Sequence, residues 1–212
     1  ANAIYDIVDG KLVFRSYYKL PAVQTDMENC VAHNGSLIPV PGCDLFVQAW
    51  YQGGLSISDF TDSAHPREIA YFDRGPVNAD HQILGGYWSV YWYQGRIYGT
   101  EIARGLDVFE LTPSEYLSAN EIAAARMAQQ GQTVNPQQQY PVIWPAHPVV
   151  ARAYMDQLAR NNALPETTKS RLNGVLDTAT PLVDGNRKNA AVAKDLRAAA
   201  NSIDSSGAGQ NI

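Results

Sequence analysis

Apolar and polar positions alternate in short runs through the first 117 residues, and turn residues separate the runs. Residues 3–8 are apolar apart from one Asp, Asp9-Gly10 follows, and residues 12–20 are again rich in apolar side chains. Two such runs around an Asp-Gly pair predict a β-hairpin. Further strands are predicted over residues 31–40, 45–51, 55–60 and 68–72. Breaks fall at Pro41-Gly42, at Gly53-Gly54 and across 62–66. The pattern then recurs, with strands over 87–93, 97–102 and 106–111 broken at Gln94-Gly95 and Arg104-Gly105.

The period changes after residue 117. Ser118-Ala119-Asn120-Glu121 forms a capping box and predicts a helix to about Gln129. Residues 131–140 read as a polar, Gln-rich loop containing Pro136. Pro148 suits the first turn of a second helix, where Val150, Ala153, Tyr154, Gln157 and Leu158 share a face. Pro165 opens a third helix, with Leu172, Val175 and Leu176 inward. A fourth runs over 186–203, with Val192, Ala193, Leu196, Ala199 and Ile203 on one stripe. The expected organisation is therefore β-strands over 1–117, a helical region over 118–204 and a frayed Gly/Ser-rich tail over 205–212.

An internal repeat sharpens the β part. Trp50-Tyr51-Gln52-Gly53-Gly54-Leu55 stands against Glu101-Ile102-Ala103-Arg104-Gly105-Leu106, an offset of 51 residues from Gly54 to Gly105. Asp59-Phe60-Thr61 then stands against Glu110-Leu111-Thr112. A period of roughly 40–50 residues with about four strands each marks a β-propeller. With the four strands of a blade lettered a to d from the channel outward, residues 3–20 read as c and d. Residues 31–73 supply a full set, and 87–111 supply a, b and c. The expected fold is thus mainly β: about two blades of a propeller, then α-helices. A two-sheet sandwich with similar hairpins is the alternative. Propellers have typically 4 to 8 blades, so the rest of the ring must come from elsewhere.

His33-Asn34 opening a strand, Ala49-Trp50-Tyr51 closing the next, and Gly54-Leu55-Ser56-Ile57-Ser58-Asp59 after it resemble the repeat of secreted bacterial LVIVD-repeat propeller proteins. Trp88-Ser89-Val90-Tyr91 and the run from Glu101 to Val108 resemble it again. Residues 142–158, with Trp144-Pro145 and Tyr154, are similar to the helical tail of some members. The resemblance implies a secreted or cell-envelope protein and a longer parent with further blades. It carries no active site to this chain.

Composition excludes some classes. Hydrophobic residues make up 45% and charged residues 17%, which is a folding composition. Sixteen Lys and Arg against twenty-one Asp and Glu give a net charge of -5, which disfavours nucleic-acid binding. No apolar run approaches the roughly 18 residues that predict a transmembrane helix. The chain begins Ala1-Asn2-Ala3, so a processed precursor or a part of a longer chain is expected. Cys30 and Cys43 allow one disulfide without demanding it, and in an oxidising compartment Cys30 can instead tether another chain.

The candidate chemistry gathers at one end of the strands. In a propeller the start of strand a shares a rim with the end of strand b. That puts His33 and Asn34 near Trp50 and Tyr51, and Trp88 and Ser89 near Glu101, with Arg104 three residues on. A His and a Glu at such a rim, among amide and hydroxyl groups, can bind a divalent metal or act as an acid–base pair. The alternative is structural: His33 and Asn34 bond to the backbone, and Glu101 pairs with Arg104. His65, His81 and His147 fall in turns and loops. Asn34-Gly35-Ser36 matches a glycosylation triplet, and Ser36, Ser56 and Ser89 lack a nucleophile elbow. The aromatic strand holding Tyr87, Trp88, Tyr91, Trp92 and Tyr93 can pack between blades or stack on a planar ligand. Two functions follow: a secreted binding or scaffold module, or a metal-assisted hydrolase or lyase at the channel. The expected partner is the N-terminal propeller part of the same precursor, or copies of this chain.

Overall fold

Asp9 and Gly10 both adopt left-handed backbone, with φ of 51° and 72°. That is the two-residue turn whose twist suits a hairpin. It joins β1 (Asn2–Val8) to β2 (Lys11–Tyr18) in a two-stranded antiparallel sheet. The structure, a computed structural model, describes residues 1–131 and 141–204. Most of the loop expected at 131–140 and the whole tail at 205–212 lie outside the described residues.

Four strands follow in chain order: β3 (Gly35–Ile38), β4 (Leu45–Ala49), β5 (Leu55–Asp59) and β6 (Arg67–Phe72). β3 is shorter than the expected run. Pro39 and Pro41 lie just beyond its end, and neither has an N–H to donate to a ladder. Residues before it still run beside β4, because the His33 N–H donates to the Ala49 carbonyl at 2.9 Å and the Ala49 N–H to the Asn34 carbonyl at 3.0 Å. A third sheet holds β7 (Tyr87–Tyr93), β8 (Arg96–Glu101) and β9 (Gly105–Phe109). Its first turn, Gln94-Gly95, repeats the left-handed pair of the first hairpin.

The 51-residue repeat is structural. Ala49 pairs with Leu55 and Val47 with Ile57; at the same offset, Thr100 pairs with Leu106 and Tyr98 with Val108. β4–β5 and β8–β9 therefore share one register.

The four-stranded sheet lies between the other two and buries both faces. On one side, the Ser36 hydroxyl accepts the Trp92 N–H at 2.8 Å, and Ile38, Val47, Ala49, Val90 and Trp92 fill the layer. On the other side, the Tyr18 hydroxyl meets Ser56 Oγ at 2.5 Å, and Asn2 Nδ2 donates to Gln48 Oε1 at 2.5 Å. The outer faces of the stack are open. Tyr5, Ile7, Leu12, Phe14 and Tyr17 are exposed on the β1–β2 sheet, and Leu106 and Val108 on the β7–β9 sheet.

The chain divides into two compact units, one built on Ala1–Thr112 and one on Pro113–Gln129 with residues 143–204. The second holds α1 (Ala119–Met127), α2 (Pro148–Arg160), α3 (Glu166–Asp184) and α4 (Ala190–Asp204). The capping box forms as expected: Ser118 Oγ accepts the Glu121 N–H, and the Glu121 carboxylate accepts the Ser118 N–H. Glu121 also pairs with Arg160. His147 caps α2 through Nδ1 and meets Asp184 at the end of α3 through Nε2. α4 starts later than expected, because Asn186 is left-handed and Asn189 caps the N–H groups of Ala191 and Val192.

Strands come first and helices after, as expected. Helices occupy about as many residues as strands, so the whole chain is mixed α and β: nine antiparallel strands in three small sheets and four helices among the described residues. The three sheets do not close on themselves into a ring or barrel.

Candidate functional site

The β4–β5 turn and the entry to β7 are stitched together by backbone. Tyr51 is left-handed, with φ 50°, and bonds to Tyr87 in both directions, N–H to carbonyl at 3.2 and 2.8 Å. This bridge needs Gly86. A Cβ on Gly86 would stand 1.9–2.1 Å from the Tyr51 and Gln52 backbone, at a φ of 87°.

Three rings cluster beside the bridge. The His33 ring lies 4.6 Å from Trp88 and 5.1 Å from Tyr51, and Tyr51 lies 5.8 Å from Trp88, centroid to centroid. Trp88 keeps 47% of its surface exposed, and a β-bulge marks its position on β7. Next to it, Asn34 Nδ2 donates to the Tyr91 hydroxyl at 3.2 Å and to Ser89 Oγ at 3.5 Å. His33, Asn34, Tyr51, Trp88 and Ser89 therefore come together. Trp50 does not join them: its side chain turns the other way and packs on Tyr18, 6.1 Å between centroids.

Glu101 ends β8 on the same end of the stack as His33, opposite Tyr87 in the ladder. It is only 3% exposed. Its Oε1 accepts the Gly86 N–H at 2.5 Å and lies 3.7 Å from the Arg104 guanidinium. Its Oε2 and the Nδ1 of His33 are both buried and find no hydrogen-bond partner among the described residues. The His33 ring faces Trp88 and Tyr51 while the Glu101 carboxylate faces Gly86. The two share a rim but no hydrogen bond or ion pair. Among the described residues, no three His, Cys, Asp or Glu side chains converge as a metal cluster would.

The two cysteines are thiols that are not joined to each other. Cys43 lies in the β3–β4 turn. Cys30 is wedged under Gly53, where an added Cβ would stand 3.1 Å from its sulfur. Burial, then Glu28 and Asp73, pushes the Cys30 thiol up to about 11.

Sequence reasoning missed two polar links. Arg74 grips Asp107 with both amino groups, at 2.9 and 2.8 Å, and stands 5.1 Å from the Phe72 ring centroid. The Tyr87 hydroxyl donates to the same carboxylate at 2.5 Å. These two donors hold Asp107 below the usual carboxylate range, while burial and Asp107 push the Tyr87 phenol up. In the second link, Ser56 Oγ donates to Glu68 Oε2 at 2.6 Å, and burial pushes the adjoining Tyr18 phenol up to about 12. The partners of Asp107 are 33 and 20 residues away, so only the strand pairing reveals them.

Compared with protein-family models, curated proteins and solved structures, the chain matches none of them.

Proposed function

We propose that the three sheets are consecutive blades of a β-propeller of the LVIVD-repeat kind, and that the chain is a secreted or cell-envelope binding module. Three features support the blade reading: the shared register at a 51-residue offset, the face-to-face stacking, and the open apolar outer faces. Further blades cover those faces. They come from the N-terminal part of the same precursor, with copies of this chain as the rival source.

The observation that carries the binding reading is the aromatic rim. Trp88 is braced by His33 and Tyr51, offers a half-exposed ring, and has the Asn34 amide and two hydroxyls beside it. A ring platform flanked by amide and hydroxyl groups suits a sugar or another planar polar ligand. The test is cosedimentation with cell-envelope fragments. The parent protein pellets with them, and Trp88→Ala, checked for an unchanged unfolding midpoint, loses at least about fivefold of the bound fraction. Equal pelleting of both proteins overturns the rim.

The orphaned Glu101 Oε2 and His33 Nδ1 favour a second reading, a metal-assisted hydrolase or lyase at the same rim. Metal analysis of the native particle separates the two. A stoichiometric divalent metal lost in Glu101→Gln supports the enzyme.

A further inference from the structure

α3 packs against both α2 and α4, and the three helices enclose a cavity of about 320 Å³. Its floor is Met155 and Leu158 of α2 with Leu172 and Leu176 of α3, all buried. α4 brings the stripe of Leu196, Ala199 and Ile203 to it. The hollow has a physical cause. Ala199 and Ala200 stand in mid-stripe with single methyl groups, and Ala151 does the same on α2. Ala151 and Ala200 are exposed, which places the mouth between α2 and α4. Tyr154 carries the one polar side-chain group in the lining, and its hydroxyl makes no hydrogen bond among the described residues. A buried water needs two to four polar partners, so this interior stays dry. A void of such a size, left empty, forfeits packing contacts that an apolar guest restores. About 150 Å³ of apolar cavity holds one benzene, so this volume holds an alkyl chain of about ten carbons. Residues 205–212 carry only Ala208 and Ile212 as apolar side chains, too little to fill it. The mouth has a cation beside it. Arg197 precedes Ala200 by one turn of α4, is exposed, and has no ion-pair partner among the described residues.

We propose that this cavity holds the tail of one medium-chain fatty acid, with its carboxylate at the mouth between Ala151 and Ala200. The tail lies over Leu172 and Leu176. Arg197 pairs with the carboxylate, and Tyr154, one turn after Ala151 on α2, donates its hydroxyl to it. The site belongs to the helical unit alone, so it stands or falls apart from the aromatic rim and the blade reading.

The test uses the full chain with sodium decanoate as probe, followed by calorimetry and methyl NMR. The expected result is one saturable site per chain, with the Met155, Leu172 and Ala199 methyl signals shifted. Affinity rises about fourfold with each added CH2 from hexanoate to decanoate. It rises no further at tetradecanoate, whose tail outruns the cavity. Decanol, which has no charge, binds at least about fivefold more weakly, and Arg197→Gln brings decanoate down to that level. Ala199→Leu fills the hollow and weakens decanoate at least about tenfold while the unfolding midpoint holds. Ala151→Trp, at the exposed mouth, gives the same loss with the core untouched. No saturable binding to the parent protein overturns the site, and so does binding that neither variant weakens. A midpoint lowered by Ala199→Leu overturns the hollow itself. Equal binding of decanol and decanoate overturns the fatty acid as occupant. If decanoate binds only by splitting a dimer, a second copy is the occupant. If phosphatidylcholine vesicles compete with decanoate for the site, the occupant is a bilayer lipid. Either result overturns the proposal.

Discussion

The Ser36 hydroxyl accepts the backbone N–H of Trp92 at 2.8 Å, joining the first strand of one sheet to the first strand of the next. Among the described residues β7 is an edge strand, and this N–H faces no partner strand on its outer side. Ser36→Ala therefore leaves a buried donor unsatisfied and should cost about 1–3 kcal/mol. Denaturant unfolding measures it. An unchanged midpoint would show that the two sheets do not depend on this bond.

Gly86 is the tightest point of the rim. Ala there meets both a left-handed φ and the Tyr51 backbone. The expected loss is about 2–5 kcal/mol, from strain plus overpacking. The same change should free the Glu101 carboxylate from its N–H donor. Unfolding midpoints check the first effect, and the Gly86 to Gln52 amide shifts check the second.

Tyr18 gives a pH signature. Burial pushes its phenol up from the ordinary tyrosine value of about 10 to about 12. The folded state keeps this proton over a range where the unfolded chain has lost it. Stability from this group is whole below pH 10 and falls as the pH rises toward 12, by about 2–3 kcal/mol in all. Tyr18→Phe should remove that part of the alkaline slope. Tyr87, also raised, keeps the remainder. A Tyr18→Phe curve parallel to the parent's between those pH values would contradict the burial of this hydroxyl.

Cys30 should react slowly. Its thiol is half-buried and raised to about 11, so little thiolate is present near neutral pH. Alkylation of the folded protein at pH 8 should label Cys30 at least about tenfold more slowly than in the unfolded chain. Both cysteines should label fully in denaturant without reductant. If Cys30 labels only after reduction, it is tethered to another chain.

Turn chemistry and period carried the strand order into view. Asp9-Gly10 and Gln94-Gly95 marked two hairpins, Ser118 with Glu121 marked α1, and Gly54 against Gly105 marked the repeat that the ladders keep. Side-chain direction was harder. Trp50 and Tyr51 are neighbours, yet one packs on Tyr18 and the other on His33, because the strand ends at Ala49 and Tyr51 takes a left-handed turn that carries it to Tyr87. Tyr91 as the partner of Asn34, and Arg74 as the partner of Asp107, depend on how sheets stack, which no local pattern encodes. The His147 cap was hidden because His is not a favoured N-cap type, although Pro148 pointed to the helix start.

Whether these sheets are blades of a larger ring is decided most directly by the native particle. Its mass under native conditions is compared with its mass in denaturant without reductant, beside electron-microscopy class averages. The expected result is a ring-shaped particle heavier than this chain alone, in which a second polypeptide or further copies cover Tyr5, Ile7 and Phe14 at one end and Leu106 and Val108 at the other. A monodisperse particle with the mass of one such chain, keeping those faces in water, would contradict it.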